Sequence, residues 1–415
     1  MFTGFGNESV SDKNQYQILL YTNIFIIACM KIFKVLILFL FLASFLMIAQ
    51  PVAALPETYV STLTWQSPTT GPGPYFTQFG PHGIGRSSSG ILYVAVDNAL
   101  YNQNHRYVEG FSSQGSFAGD WGKNGGLQDP GMFFYPVALA VNSSGWVHVG
   151  NGWLVNNKIE RFQPTGSYGN SAIWSPAIQT GNFMCAVTAI DIDSMDNIYV
   201  ADSLHNRLFK LDLNGAPLGS FGYEPGYRPG GIAVEPSGRI WVSDQNPSHY
   251  RIVRYNSPSD TNPVSFSSFT AADGTVESFI QPAGITLDSA GNVYIVNSGN
   301  NRIVKGNSNG NLLALIGSGG SGPGQMSLNM SSDVAVDPDG TCVYVTDSNH
   351  RLVQKYCKIQ YPTVSPNGTS CCCCCNAPLP SNITVHVVPL SPVIPLAGIV
   401  FTVLIYGMMR RKQDT

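Results

Sequence analysis

The sequence predicts an all-β protein built as a β-propeller, a ring of six four-stranded sheets. Three observations carry this. First, six segments repeat in register: PHGIGRSSSGILYVAVD, PVALAVNSSGWVHVGN, VTAIDIDSMDNIYVAD, PGGIAVEPSGRIWVSD, PAGITLDSAGNVYIVN and SSDVAVDPDGTCVYVTD. Each reads as a short apolar strand, a polar turn holding Gly or Asp-Asn, and a second alternating strand. Second, a loop follows each, then a third strand opening on a basic residue: HRYVEGF, NKIERF, NRLFKL, YRIVRY, NRIVKG and HRLVQKY. Third, the unit recurs about every 40–55 residues, with a fourth strand such as NGAPLGSFG in most copies, which is the spacing of a propeller blade. The composition agrees: 43 Gly and 27 Pro among 415 residues suit a turn-rich β chain.

Before the repeats, MKIFKVLILFLFLASFLMIAQPVAALP has the three parts of a secretory signal. Lys31 and Lys34 form a basic start, Val35 to Ala49 an apolar core, and Val52 and Ala54 the small residues of a cleavage site after Ala54. The expectation is that residues 1–29 are an over-extended N-terminus and 30–54 a signal peptide. Residues 55–357 then hold the propeller, whose sixth unit runs on without an obvious fourth strand of its own. TYVSTLTWQSPTTGPG resembles the fourth strand and linker NLLALIGSGGSGPG, so Tyr59–Trp65 is expected as the outer strand of the last blade, removing an open sheet edge.

Residues 358–392, with prolines at 362, 366, 378, 380 and 389, read as an extended Pro/Cys-rich stalk. Val393–Met409 is an apolar run about 25 Å long as a helix, enough for a short membrane span. Arg410, Arg411 and Lys412 in the basic tail 410–415 mark the cytoplasmic side. The expected arrangement is a single-pass protein with its propeller outside, at the cell surface. A formal charge of −3 gives no reason to expect a nucleic-acid partner.

The repeats resemble the NHL family, whose consensus runs P-x-G-I-A-V-D-x-x-G-x-I-Y-V-A-D-x-x-N-x-R-I. The resemblance spans residues 58–357 and implies a six-bladed propeller of NHL-type blades. Blades 1 and 2 depart from the pattern, since YNQNHR and GWLVNNK lengthen the loop before the third strand.

The stretch YVADSLHNRLFKLDLNG raises the question of chemistry, because Asp202, His205 and Arg207 lie close together. Asp202 has counterparts in Asn151, Asp244, Asn297 and Asp347, and Arg207 in Arg106, Lys158, Arg251, Arg302 and Arg351. A pair repeated in nearly every blade reads as scaffold. The Asp or Asn caps a turn and the Arg ties the loop to the neighbouring carboxylate. His205 is left without a role.

A metal site needs ligands converging on one point. His82 is the one histidine of the inner strands, where its equivalents are Val137, Thr188, Gly230, Ala283 and Ser332. Related amidating lyases carry similar PHG motifs but use several axial histidines. Glu235 and Asp337 sit in hairpin turns and read as turn formers rather than calcium ligands. No G-x-S-x-G elbow, P-loop or H-E-x-x-H occurs. No catalytic residue and no cofactor is assigned.

Cys342 and Cys357 bracket one hairpin. If Val345 pairs with Leu352, Cys342 faces Lys355 with Cys357 on the diagonal, within reach of a disulfide. Asn142, Asn329, Asn367 and Asn382 head glycosylation sequons. The functional expectation is non-catalytic recognition of an extracellular protein or glycan, with Tyr101, Trp121, Trp153 and Trp174 as loop contacts. The alternative is a metal-dependent lyase or lactone hydrolase in the axial channel, with His82 and nearby carboxylates around the metal.

Overall fold

In the computed structural model the alternating apolar runs pair into six four-stranded antiparallel sheets. The structure describes residues 57–65, 80–100, 103–122, 133, 135–151, 158–163, 172–174 and 187–359, with backbone only at 97–100, 103–106, 151 and 172–174. From the axis outward, blade 1 is Pro81–Arg86, Leu92–Leu100, Gln103–Phe111 and Phe117–Trp121. Blade 2 is Pro136–Val141, Val147–Asn151, Lys158–Phe162 and Ala172–Trp174. Blade 3 is Val187–Ile192, Ile198–Asp202, Arg207–Leu211 and Pro217–Phe221. Blade 4 is Pro229–Val234, Ile240–Asp244, Arg251–Tyr255 and Val264–Phe266. Blade 5 is Pro282–Leu287, Val293–Asn297, Arg302–Gly306 and Leu312–Ile316. Blade 6 is Val334–Val336, Cys342–Asp347, Leu352–Lys358 and, from earlier in the chain, Tyr59–Trp65. Helical content among the described residues is one 3-10 turn, Ser298–Asn300, and no helix there is long and apolar enough to cross a membrane. The signal segment, stalk and apolar run 393–409 lie outside the described residues.

The turn between the first two strands of each blade needs a left-handed residue. Gly90, Gly145, Gly238, Gly291 and Gly340 supply it with φ of 69–88°, and blade 3 uses Asp196 at φ 62°. Asp is among the few residues that tolerate this conformation, so one blade can do without the glycine.

Side chains alternate along each strand and meet those of the next blade, giving six apolar clusters, one at each seam. Between blades 4 and 5, for example, Trp241 and Ile252 pack with Ile285 and Ile295. Each fully buried side chain of this size contributes about 1.5–3 kcal/mol. The ring is therefore held by its seams as much as by its sheets.

Tyr59–Trp65 pairs antiparallel with Leu352–Lys358, from Tyr59 opposite Lys358 to Trp65 opposite Val353. Only its ends are buried. Trp65 packs between Tyr344 of blade 6 and Phe111 of blade 1, ring centroids 6.3 and 6.2 Å away. At the other end Glu57 bonds Lys358 at 2.6 Å and also the buried Lys305 of blade 5. The Lys305 ammonium lies 5.7 Å from the Tyr59 ring and 5.2 Å from the Tyr294 ring. Two aromatic anchors and two ion pairs thus fasten the strand to three blades.

Two local expectations change. The long loop expected in blade 1 is a protruding hairpin: its second and third strands are nine residues each and stay paired as far as Leu100 opposite Gln103. In blade 6 Val345 pairs with Gln354, not Leu352. The turn Ser348–Arg351 is longer than that pairing assumed, which brings Cys342 directly opposite Cys357, and the two are disulfide-bonded. The bond closes a loop of 15 residues, so its reduction is expected to lower stability by about 3 kcal/mol. Urea unfolding with and without reductant measures this; an unmoved midpoint in a protein shown to be oxidised at the start contradicts it.

Candidate functional site

The six inner strands enclose an axial cavity of about 700 Å³. At the third position of the aligned inner segments stand Gly83, Ala138, Ala189, Gly231, Gly284 and Asp333, the last one residue before its strand, and at the fifth Gly85, Ala140, Asp191, Ala233, Thr286 and Ala335. Two carboxyl groups, three blades apart in a ring of six, therefore interrupt columns of small residues. Each bonds one backbone N–H of its own strand and one of the next blade. Asp191 accepts from Ile192 N at 2.8 Å and Val234 N at 2.7 Å. Asp333 accepts from Val334 N at 2.9 Å and Ile84 N at 3.1 Å.

Burial pushes both carboxyls up. For Asp191 this outweighs the two N–H bonds, and with a smaller push from Asp193 the pKa rises to about 6. For Asp333 burial again exceeds its two N–H bonds, Asp191 adds repulsion, and the pKa rises to about 7. Sequence reading missed both, although the aligned repeats display each as the one acid in a column of small residues.

The conspicuous repeated signature lies elsewhere, at the end of the second strands, and it is structural. Asp202, Asp244, Asn297 and Asp347 are all fully buried. In blade 4, Asp244 accepts from Arg228 N and Asn246 N, each at 3.1 Å, and from Arg251 Nε at 2.9 Å. In blade 5, Asn297 accepts from Ile280 N at 2.7 Å and donates to Glu277 at 2.9 Å, while Arg302 is 3.7 Å from Glu277. In blade 6, Asp347 accepts from Ser327 N at 3.2 Å, His350 Nδ1 at 2.9 Å and Gln354 Nε2 at 2.6 Å. In these three blades the side chain stitches down the segment leading into its own blade.

The expected Arg partner holds in blade 4 and fails in blades 3 and 6. In blade 3 the Arg207 guanidinium stacks over Phe209 at 4.3 Å, and Asp202 is held instead by His205 Nδ1 at 2.8 Å. His205, left without a role by the sequence, is thus the clasp, and His350 is its counterpart. In blade 6, Arg351 is not equivalent to Arg207. It takes the left-handed turn position, φ 62°, that Asn206 and Asn301 hold in blades 3 and 5. Leu352 therefore stands opposite Asp347.

The turn carboxylates are engaged too. Glu235 accepts from Trp241 Nε1 at 2.7 Å and Arg239 Nε at 2.8 Å. Asp337 pairs with Arg86 at 3.0 Å and lies 3.3 Å from Tyr344 OH. His82 is buried to 4% exposure, and neither ring nitrogen has a hydrogen-bond partner among the described residues. Burial pushes its pKa down to about 4. His148 is likewise buried, and burial is the main cause that depresses it to about 4. No three His, Cys, Asp or Glu side chains converge for a metal among the described residues.

Of the expected loop contacts, Trp121 is corrected. It ends the outer strand of blade 1 and packs against Tyr93 and Phe162, 5.5 Å from each, so it serves the seam to blade 2. Trp174 also lies in a strand, opposite Ile159, rather than in a loop. Tyr101 and Trp153 lie outside the described residues, as do Asn367 and Asn382. Asn142 Oδ1 caps its hairpin turn at Trp146 N, 2.8 Å away, and Asn329 Oδ1 accepts from Ser331 N at 2.8 Å.

Residues 279–305, within blade 5, match the model of the NHL repeat. No curated protein matches the chain by sequence. Among solved structures, a gluconolactonase from Xanthomonas campestris is similar over 75% of this chain and 99% of its own, at 14% identity and a TM-score of 0.50. A virginiamycin B lyase from Staphylococcus aureus is similar over 73% of this chain and 100% of its own, at 15% identity and a TM-score of 0.44. At 14% identity the likeness to the gluconolactonase describes the fold alone.

Proposed function

We propose that this chain is a recognition propeller: a rigid ring, exported and held at the cell surface by a stalk and a C-terminal span, that binds an extracellular protein or glycan. One observation carries the reading. The signature and turn acids that suggested chemistry, Asp202, Asp244, Asp347, Glu235 and Asp337, are engaged in bonds to backbone and neighbouring side chains of the scaffold. Variation between blades then concentrates in the connecting loops, where binding residues most often sit. Tyr101 and Trp153 remain the contact candidates. Binding of the purified full chain to a glycan array and to cell-surface proteins is expected to be lost in Tyr101→Ala or Trp153→Ala, with the unfolding midpoint unchanged. Wild-type binding by both variants sinks the assignment.

The competing reading is a channel enzyme, a metal-dependent lyase or lactone hydrolase. It is favoured by the protonatable Asp191 and Asp333 in the axial cavity, groups of the kind used for proton transfer near neutral pH. Metal analysis of the purified protein separates the two. Stoichiometric zinc, calcium or iron supports the enzyme, and a folded ring without metal supports recognition.

A further inference from the structure

The axial cavity contains two acids whose placement the scaffold does not require, since four blades have only small or uncharged residues at both positions. Room for Asp333 is made by Gly284 in blade 5, where a Cβ would come within 2.0 Å of its Oδ1. Asp333 spans the seam from blade 6 to blade 1 and Asp191 the seam from blade 3 to blade 4. Both face the same cavity, and no ion pair to either is found among the described residues.

Most of the surrounding charges are committed elsewhere; Arg228, at the entry to blade 4, also lines the cavity and is in no ion pair among the described residues. Against Asp333, blade 1 presents Arg86, bonded to Asp337, and the buried His82. Blade 5 presents Asp288, which accepts from Asn292 and Tyr294, and the second strand of blade 6 presents Asp347, held by His350. Against Asp191, blade 4 presents Glu235, paired with Arg239, and its own turn presents Asp193, paired with Lys210. The inner strand of blade 2 carries no titratable side chain.

We propose that Asp191 and Asp333 act together as a proton-dependent device: protonated, they leave the axial channel neutral and the ring at its tightest; ionised, they place two negative charges on opposite walls and loosen it. Each half-buried carboxylate, once ionised, has lost part of its hydration, and Asp191 repels Asp333 across the cavity. Both folded-state values are raised, to about 6 and about 7. The stability these groups contribute is therefore complete below about pH 4 and lost as pH rises through those values. The device is independent of whether the ring recognises or catalyses.

The test is urea unfolding of the full chain from pH 5 to pH 8, in the wild type and in Asp191→Asn/Asp333→Asn. Asn keeps an acceptor oxygen for one of the two backbone N–H groups at each site, which bond different carboxyl oxygens in the wild type, so the slope with pH rather than the absolute stability is compared. The wild-type unfolding constant is expected to rise by about tenfold or more relative to that of the double variant. Parallel pH profiles overturn the proposal. Should the double variant not fold, ¹³Cγ-aspartate NMR of the wild type decides. Two carboxyl resonances titrating well above pH 5 support the device, and none above the ordinary carboxylate range overturns it.

Discussion

Trp65→Ala is expected to lower the free energy of unfolding by about 3–5 kcal/mol, the usual cost of truncating a buried aromatic to alanine. Trp65 is only 8% exposed, at the end of the outer strand of blade 6. Its ring meets Tyr344 within that blade and Phe111 in blade 1, and a Cβ added at Gly115 of blade 1 would come within 3.1 Å of it. The truncation removes apolar burial and opens a cavity at the seam where the two ends of the propeller meet. A tryptophan in an exposed linker would cost less than about 0.5 kcal/mol. Urea denaturation with an unchanged m-value, read by circular dichroism, distinguishes the two. A shift under 0.5 kcal/mol would mean that the strand does not close the ring.

Asp244→Ala is expected to cost about 3–5 kcal/mol, because it leaves the Arg251 guanidinium and two backbone N–H groups without their acceptor. Arg251 retains Glu224 at 2.5 Å and partial exposure, which places the value toward the lower end. Arg207→Ala, the same repeat position one blade earlier, is expected to cost under about 1 kcal/mol. Arg207 loses only its stacking on Phe209. His205→Ala, which removes the bond to the buried Asp202, should cost more than Arg207→Ala. The reverse order would show that the Arg, as the repeat pattern suggests, is the true partner in blade 3.

The fold was legible because a blade cannot bury its faces alone. Each unit must repeat the same alternation and the same left-handed turn, and six copies average out local ambiguity. Even Asp196 could be placed, since a turn demanding φ above zero accepts Gly, Asn or Asp. The partner of each buried acid was not legible. The turns of blades 3, 5 and 6 are equally long, but in blade 6 the Arg comes one position earlier, so Arg351 takes the left-handed place and Leu352 stands opposite Asp347. Pairing depends on register, which a column of similar letters does not reveal. Trp121 was misread for a related reason: an aromatic between polar residues resembles a loop contact until its strand is paired and stacked on Phe162. Asp191 and Asp333 were readable in principle. They break a column of small residues, a subtler signal than three polar residues in a row.

The claim that the repeated acids are scaffold is tested most directly by alanine substitution at the four equivalent positions Asp202, Asp244, Asn297 and Asp347, followed by equilibrium urea unfolding. Each is buried and bonded to its own neighbours, so each variant is expected to lose about 2–5 kcal/mol. Full stability in any one of the four would contradict the account and return that residue to consideration as part of a working site.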